Sequence, residues 1–519
     1  MKLKFNGILV LLVVLMAQLT FAQERAVTGV VSDNAGMPIP GVSVLVKGTK
    51  FGTQTDFDGK FAIKAAPSQI LIFSYIGMLS QEVKATSTLV NVKMKTSAVE
   101  LEGVTINVLG IEVKKNETAS AFSKVKGDVL TNSGETSLLK GLSAKAAGVS
   151  IVSNSGDPGS GAYVQIRGQN SITGSTQPLY VIDGIPVSSD EIGSGVDGVG
   201  QQSRMNDINP NDIESVKVLK GASAAALWGY RASNGVVLIT TKKGKRGKIS
   251  VDISSSVSFD KVNIKFKTQD IYGQGRGGVW SGASNRAGSF GDKISTRTGG
   301  TDIFNLGGNY FVSNTGNTIY ATTTKNSTAN FNNSNYDAVV NNGQSVNNHV
   351  AISGGNDTTN FYLGIGSNVQ DGIVRASDYE RTSVDFTSES KIGDKLSFKS
   401  KFSYSSSNSN RIQQGSNLSG LFLGLYRTPA DFDNIDYVGT SFVRGVPSLN
   451  SHRAYRQAVG TNAGDRNPSY NNPLWTTDVQ KNPNTVERYI AGFEIKQEIS
   501  SWLTLLGRLG LDGYSDKRM

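Results

Sequence analysis

Few residues of this 519-residue chain have the types and spacing that enzymatic or metal chemistry requires. The sequence contains no cysteine, which excludes a disulfide, a thiolate zinc site and a catalytic cysteine. Its histidines, His349 and His452, lie far apart in the sequence and lack the i, i+4 spacing of a helical metal-binding pair. The sequence therefore disfavours a metalloenzyme and a Ser-His-Asp hydrolase, and it predicts no catalytic residue, no cofactor and no metal site.

Two short motifs resemble ligand-binding loops. DFDG at 56–59 opens like a calcium-binding EF-hand loop, but the third acid and the closing glutamate are absent, which favours an Asx-type hairpin turn. GQGRGG at 273–278 matches a nucleotide-binding glycine pattern, but it follows no buried strand and precedes no helix, so we expect a loop tip. Asp183 and Arg167 are interpreted as a turn aspartate and a structural arginine.

The N-terminus predicts export. Lys2 and Lys4 precede a charge-free run with a continuous apolar core at 8–16, and the small residues Thr20 and Ala22 stand before Gln23. This pattern is typical of a signal peptide over residues 1–22 that is cleaved after Ala22. The alternative is a membrane-anchoring helix, but the apolar core is too short to span a bilayer comfortably.

The distribution of charge and the spacing of apolar residues divide the remaining chain into segments. The formal charge of +10 is spread along the sequence, apart from a dense basic cluster at 242–248, which indicates a solvated surface and not a nucleic-acid-binding face. Residues 23–97 show short alternating apolar runs separated by turn signals, which predicts a small β-sandwich with about seven strands. Residues 98–127 contain a short β-prone segment within a polar stretch, and this segment is either a pairing strand or a plain linker.

Residues 128–247 predict a compact α/β domain. Leu138, Leu139, Leu142 and Ala146 fall near one face of a predicted helix that ends at Gly148. PLYVIDGIPV at 178–187 predicts a hairpin with an Asp-Gly turn and a return strand that ends at a proline. The run 236–240 is apolar on both faces, which predicts a central buried strand.

Residues 248–519 alternate apolar and polar side chains in segments of about ten residues. Short turns join these segments near 354–357, 392–394 and 500–502, and long polar stretches separate the pairs at 260–345 and 408–485. This arrangement is typical of a transmembrane antiparallel β-barrel, because strands can satisfy their backbone in lipid only when the sheet closes. The alternative is a soluble β-sandwich with one wet face, which loops of this length disfavour.

Several segments then show a family resemblance. SGDPGSGAYVQIRGQNSI at 155–172, QPLYVIDGIPV at 177–187 and the run from INPNDIESVKVLKG to TTKKG at 208–244 resemble the plug of SusC/RagA-type TonB-linked outer-membrane transporters. VTGVVSDNAGMPIPGVSVLVKG and the residues that follow it, at 27–63, resemble the carboxypeptidase-regulatory-like β-sandwich, without implying peptidase activity because this stretch has no histidine. The resemblance covers essentially the whole chain.

The resemblance implies a fold, a function and partners. The fold is multi-domain, with a signal peptide, a β-sandwich at 23–97, a linker with a TonB box at 98–127, an α/β plug at 128–247 and part of a transmembrane barrel at 248–519. The candidate TonB box consists of Leu101, Glu102, Gly103, Val104, Thr105, Ile106, Asn107 and Val108. Gly103 and Asn107 depart from the family's pattern, which leaves the boundaries of the box open.

We therefore expect energy-coupled import of a nutrient such as an oligosaccharide or a peptide. The implied partners are TonB, a SusD-like surface lipoprotein, outer-membrane lipid and the imported substrate, with no nucleic acid and no enzymatic activity. The alternatives are a non-transporting adhesin or structural barrel and, less favoured, an exported glycan-active enzyme. Because family barrels resemble the 22-stranded plugged class, we also expect that this chain is a fragment or a truncated product whose barrel strands do not close.

Overall fold

The computed structural model describes residues 25–33, 36–49, 51–75, 78–94, 106–108, 111–113, 122–169, 171–172, 175–192, 196–221, 228–282, 288–461 and 469–518. The predicted signal peptide and residues 101–105 of the candidate TonB box lie outside these ranges. Within the described ranges, every helix is too short or too polar to cross a lipid bilayer.

The N-terminal unit is a β-sandwich, as the alternation predicts. One sheet has the order β4-β1-β7 and the other has the order β3-β2-β5-β6. Phe61 and Phe73 meet edge to face in the core, 5.2 Å apart, beside the fully buried Val27 and Leu71. The strands are β1 Arg25–Ser32, β2 Ser43–Val46, β3 Gly52–Gln54, β4 Lys60–Ala65, β5 Ile70–Ser74, β6 Gln81–Lys84 and β7 Val92–Lys93.

The DFDG motif is the predicted Asx turn. Asp56 Oδ1 accepts hydrogen bonds from the backbone N–H groups of Asp58 and Lys60, at 3.0 and 2.8 Å. The carboxylate is therefore engaged in closing the tight turn between β3 and β4, which belong to different sheets. Among the described residues, no group of His, Asp or Glu side chains has the arrangement of a metal site.

A mixed α/β domain begins at residue 122, and we call its main sheet the plug sheet. The order of this sheet is β10-β17-β18-β13-β14. The elements are β10 Phe122–Lys126, α1 Gly127–Thr131, α2 Leu138–Leu142, β11 Val149–Ser153, β12 Ala162–Ile166, β13 Leu179–Ile182, β14 Ile185–Val187, β15 Glu191–Ile192, β16 Gln202–Ser203, β17 Ile213–Leu219 and β18 Val236–Thr241, with 3-10 turns at Arg204–Asp207, Pro210–Asp212 and Gly229–Ala232. Just before this domain, β8 Ile106–Val108 pairs with β9 Ile111–Val113.

The prediction for this domain holds in its main features. β18 is the central strand, flanked by β17 and β13, and the predicted Asp-Gly turn joins β13 to β14 with both residues at positive φ. Strand β10 was not predicted: it lies in the stretch expected to be a linker, and it pairs antiparallel with β17 along its whole length.

Two local expectations were wrong. The helix expected to reach Gly148 ends at Leu142, because Ser143 turns to an extended conformation and Ala144 has φ 60°. The predicted apolar face is nevertheless buried. Pro186 does not end the return strand but lies inside β14, which is an edge strand, where the missing N–H breaks no ladder.

Residues 247–518 form one long antiparallel meander, which we call the wall sheet. Its order is β19-β26-β27-β28-β29-β32-β33. Short turns join β26 to β27, β28 to β29 and β32 to β33, as the sequence predicts. The strands are β19 Gly247–Asp260, β26 Gly343–Gly355, β27 Thr359–Asp371, β28 Asp378–Ile392, β29 Leu396–Asn410, β32 Pro483–Ser500 and β33 Leu503–Arg518.

The two faces of the wall sheet differ, as expected for a transmembrane barrel wall. Large apolar side chains such as Ile253 on β19 and Phe493 on β32 are exposed on the outer face. The inner face carries polar residues and packs on the plug sheet, where Ile490 joins the plug core. This alternation is the reason for the period-two pattern in the sequence.

Two long connections between wall strands, 261–342 and 411–482, lie at the end of the wall sheet opposite the short turns, and we call them the first and second excursions. Contrary to the expectation of plain polar loops, they fold together, and β23 and β24 from the first share a sheet with β30 and β31 from the second. Arg297 binds Asp292 and Asp431 at 2.6 and 2.7 Å and so joins the excursions. The elements are β20 Gly275–Arg276, β21 Val279–Trp280, β22 Ile303–Phe304, β23 Tyr310–Ser313, β24 Thr318–Tyr320, β25 Thr322–Thr324, α3 Asn332–Asp337, α4 Leu421–Arg427, β30 Val438–Val443, β31 Val446–His452 and α5 Pro473–Asp478, with a 3-10 turn at Ile294–Thr296. The GQGRGG motif lies at the tight β20–β21 hairpin, as predicted for a loop tip.

Candidate functional site: the contact between plug and wall

The Asp-Gly turn of the plug connects to the wall by a buried ion pair. Asp183 Oδ2 accepts hydrogen bonds from Lys401 Nζ on β29 and Thr241 Oγ1 on β18, both at 2.6 Å, and Asp183 Oδ1 accepts the Thr241 N–H at 3.0 Å. Burial acts to raise the pKa of the Asp183 carboxyl, but the Lys401 ammonium holds this pKa below its ordinary value. Asp183 is thus more than the turn residue that the sequence indicates.

A second polar contact lies at the 3-10 turn before β17. Asp212 Oδ1 is 2.7 Å from His349 Nε2 on β26 and accepts the hydroxyl hydrogen of Tyr362 on β27, also at 2.7 Å. All three side chains are nearly fully buried. The histidine therefore has a structural partner in the plug, and within the described residues it belongs to no group of three or more side chains that could hold a metal ion.

A third contact is a buried cluster of opposite charges around the 3-10 turn Arg204–Asp207. Arg488 on β32 binds Asp512 on β33 through Nε at 2.9 Å and donates a hydrogen bond to the backbone carbonyl of Arg204. Arg204 Nη1 lies 3.5 Å from Asp207 Oδ2. Burial raises the pKa of Asp207 to about 6, against the opposing positive charges of Arg204 and Arg488.

These contacts surround a small cavity of about 20 Å³. Within the described part of the chain, neither carboxylate oxygen of Asp207 has a direct hydrogen-bond partner. A cavity of this size can hold one water molecule, and Asp207 would be one of its polar partners. The contact between plug and wall therefore combines buried polar groups with apolar side chains such as Ile490. The residues around the cavity include Asp207, Asp212, Thr241, Asp385, Lys401 and Arg488.

One apolar contact stands beside the ion pairs. Ile185 of β14 packs against glycines of the two last wall strands, where a Cβ on Gly492 would lie 2.5 Å from Ile185 Cδ1 and a Cβ on Gly510 would lie 2.7 Å from Ile185 Cγ2. Any larger residue at either position would collide with the plug. The glycines thus allow the plug edge to reach the backbone of the wall.

The plug also presents a surface toward the excursions. A wide, open cavity of about 550 Å³ lies between the plug loops and the second excursion. Its walls are uncharged, and beneath them lies Asp157, whose pKa burial raises to about 6 against its hydrogen bonds to Ser155 and Gln414. The lining residues are Asn154, Ser155, Gly198, Val199, Gly200, Gln201, Gln414 and Gly415.

The residues predicted to carry function are only partly described. Ile106–Val108 of the candidate TonB box form β8, and Leu101, Glu102, Gly103, Val104 and Thr105 lie outside the described residues. The contact residues His349, Lys401 and Arg488 were not predicted from the sequence. A charged or histidine residue at an inward position of an alternating strand is a signal that could have found them.

Comparisons with known proteins agree with this arrangement. Residues 114–236 match the TonB-dependent Receptor Plug Domain, and residues 27–106 match the CarboxypepD_reg-like domain. The chain is 32% identical over 494 residues to TonB-dependent receptor SusC of Bacteroides thetaiotaomicron, a match that covers 95% of this chain and 43% of that protein. It is 30% identical over 473 residues to TonB-dependent receptor P39 of Formosa agariphila, covering 88% of this chain and 40% of that protein. The chain thus spans less than half the length of these curated relatives.

Solved structures show the same fold. The RagAB peptide importer in its open-open state superposes with a TM-score of 0.54 at 22% identity, over 80% of this chain and 43% of that chain. Its closed-closed state gives a TM-score of 0.53 at 22% identity, over 78% and 42%. At this identity the likeness supports the architecture of plug and barrel wall described above.

Proposed function

Because the chain belongs to the SusC/RagA-type TonB-dependent receptors, an outer-membrane family, we propose that it takes part in energy-coupled import of an oligosaccharide or a peptide across an outer membrane. The relatives that it matches are receptors, and we propose no enzymatic reaction for it. The proposed location is the outer membrane, reached through a cleaved signal peptide at 1–22.

The observation that supports import most directly is the way the plug is held. The plug sheet lies on the inner face of the wall sheet, and its contacts with the wall strands include Asp183–Lys401 and Asp212–His349. A domain that must leave or rearrange needs contacts whose polar groups can be rehydrated, because exposing a large apolar interface would cost far more. The ion pairs and hydrogen bonds of the described interface have this character, and Ile185 and Ile490 add apolar contact beside them. The polar contacts favour a movable plug over a permanently fixed one.

The proposed partners follow from the family. TonB would bind the segment 101–108 by adding it as a strand to a sheet edge, so that main-chain hydrogen bonds carry the pulling force. A SusD-like surface lipoprotein would cover the side of the excursions, in keeping with the two-component RagAB peptide importer named above. The imported substrate would be an oligosaccharide or a peptide, and it would reach the plug from that side.

A reversible cross-link tests whether the plug must move. A Cβ on Gly510 would lie 3.3 Å from Ile185 Cβ, close to the roughly 3.5–4.5 Å found between Cβ atoms in disulfides. The full-length protein with Ile185→Cys and Gly510→Cys would contain no other cysteine within this chain. We expect its oxidation to stop accumulation of a fluorescent oligosaccharide or peptide that wild-type cells take up, and reduction to restore it.

The matched control places a disulfide within the wall. Ala491 and Leu511 are register partners on β32 and β33, so the variant with both changed to cysteine links two wall strands and leaves the plug free. Uptake should survive oxidation of this control. Continued uptake by the oxidised Ile185–Gly510 pair would contradict import through a moving plug, and surface binding without uptake in every variant would favour an adhesin.

A further inference from the structure

The first five residues of the second excursion, 411–415, which we call the strap, connect the rest of that excursion to the plug. On the plug side they meet the loop 196–200, which we call the outer plug loop. Val199 and Gln413 form an antiparallel β-bridge. The backbone N–H groups of Gln414 and Gly415 both donate to the Gly198 carbonyl, at 2.9 and 3.1 Å.

Side chains of the strap reinforce this pairing. Gln413 Nε2 donates to the carbonyl of Asp197 at 2.7 Å, and Arg411 Nη1 donates to the carbonyl of Gly200 at 2.6 Å. The strap thus binds three carbonyls of the outer plug loop, those of Asp197, Gly198 and Gly200. Gly198 fits there because it has φ 78°, and a Cβ at this position would overlap the carbonyl of Gly415.

The strap is anchored equally firmly on its other side. Ile412 is fully buried in a hydrophobic cluster of the excursions. This outer cluster includes Leu421 and Leu474 of the second excursion and Val339 of the first. The carbonyl of Gln413 also accepts the N–H of Leu421 at 2.9 Å.

We propose that residues 411–415 are positioning residues that transmit movement of the outer cluster to the outer plug loop. Neighbouring residues of one short segment point in opposite directions: Ile412 packs in the outer cluster, whereas Arg411 and Gln413 hold the plug. The segment has no slack between these two anchors. A displacement of the outer cluster therefore either carries the outer plug loop with it or breaks its hydrogen bonds.

The place of this link gives it a role in transport. Strap and outer plug loop border the open cavity between plug and excursion, with Gln414 and Gly198 on its walls. The excursions meet a substrate first if the proposed function is correct. The strap would then carry the resulting movement of the outer cluster directly to the plug. The physical link itself does not depend on transport, and it can be measured without a substrate.

A buried cysteine in the outer plug loop serves as the reporter. Val199 is 8% exposed, so the thiol of Val199→Cys reacts with a maleimide only when the loop opens. The measurement is the labelling rate of the full-length protein in outer membranes. Ile412→Ala removes the outer anchor, and we expect labelling about five- to tenfold faster, the effect of losing one or two hydrogen bonds. Ile412→Leu should restore the slow rate.

The control makes the same substitution in the excursions but outside the outer cluster. Ile294→Ala lies on the 3-10 turn Ile294–Thr296 and also removes a buried apolar side chain, and it should leave the labelling rate unchanged. Equal acceleration by Ile294→Ala and Ile412→Ala would overturn the proposal, because general loosening would then explain both. If Ile412→Ala does not fold, Gly198→Ala tests the link from the plug side. Unchanged labelling in Gly198→Ala would also overturn it.

Discussion

Replacing Asp183 by asparagine should destabilise the folded plug more than removing Lys401, the cation that Asp183 binds. Asparagine tolerates the left-handed conformation that Asp183 adopts at φ 48°, so the turn itself should persist. The change leaves the Lys401 ammonium, whose side chain is 7% exposed, without the carboxylate that it directly contacts. A buried charge that loses its partner costs about 3–5 kcal/mol. Because the Asp183 side chain is 21% exposed and water can reach it, we expect a smaller cost than for a fully buried pair, about 1–3 kcal/mol.

Hydrogen exchange can measure this loss locally. The N–H of Thr241 donates to Asp183, and β18 lies at the centre of the plug sheet. Exchange of the peptide 236–241 in the full-length protein should accelerate by roughly 5- to 150-fold in Asp183→Asn, as 1–3 kcal/mol requires. Exchange in the N-terminal β-sandwich should not change, and this provides the internal control.

Two further variants, Lys401→Met and the double variant, test whether the ion pair holds the plug. Lys401→Met removes the cation and keeps most of the side-chain volume, and Asp183 then retains both hydrogen bonds from Thr241. We expect less than about 1 kcal/mol of destabilisation. The double variant should be more stable than Asp183→Asn alone, because no unpaired ammonium remains. If the double variant loses the sum of the two single effects, the ion pair does not hold the plug.

Three other outcomes can be checked. Val104→Pro or Ile106→Pro should abolish uptake in the full-length protein, because proline cannot donate a hydrogen bond to a strand ladder. Val104→Thr should leave uptake nearly unchanged, and normal uptake with both prolines would mean that the segment is a linker. Asp157→Asn should remove a pH dependence of thermal stability between about pH 4 and 6, worth up to roughly 3 kcal/mol. Burial raises the pKa of Asp157 in the folded state to about 6, so wild-type stability falls as the pH rises through this window, and an unchanged pH dependence in the variant would contradict this. A plug fragment of residues 122–247 should unfold at higher urea concentration than one of 128–247, because the shorter fragment lacks the edge strand that pairs with β17.

Local sequence pattern was sufficient for most of the fold. The inward-outward alternation predicted the wall strands, and the doubly apolar run 236–240 predicted the central strand of the plug. The Asp-Gly turn was identified because its positive φ values restrict the residue types there. In each case the residues that determine the structure are neighbours in the sequence, so a short window contains the necessary information.

The contacts between plug and wall could not be predicted in the same way. Asp183 meets Lys401, and Asp212 meets His349, only because the plug sheet has a particular rotation against the wall, which no local pattern encodes. The prediction of a helix that reaches Gly148 was wrong for a related reason. Its apolar residues are buried as predicted, but the chain leaves the helix after Leu142 and covers the same core with turns.

The sheet shared by the two excursions has a consequence for how the protein is assembled. Tyr310 in β23 pairs with Phe442 in β30, and strands β26 to β29 of the wall lie between them in the sequence. Pairing of such distant segments is slow, since the entropy of closing the intervening loop is lost before the contact forms. The sheet shared by the excursions therefore cannot be completed until those wall strands have been synthesised and brought into register. During that interval, the unpaired strands of either excursion can pair with another copy of the chain, which would lead to aggregation.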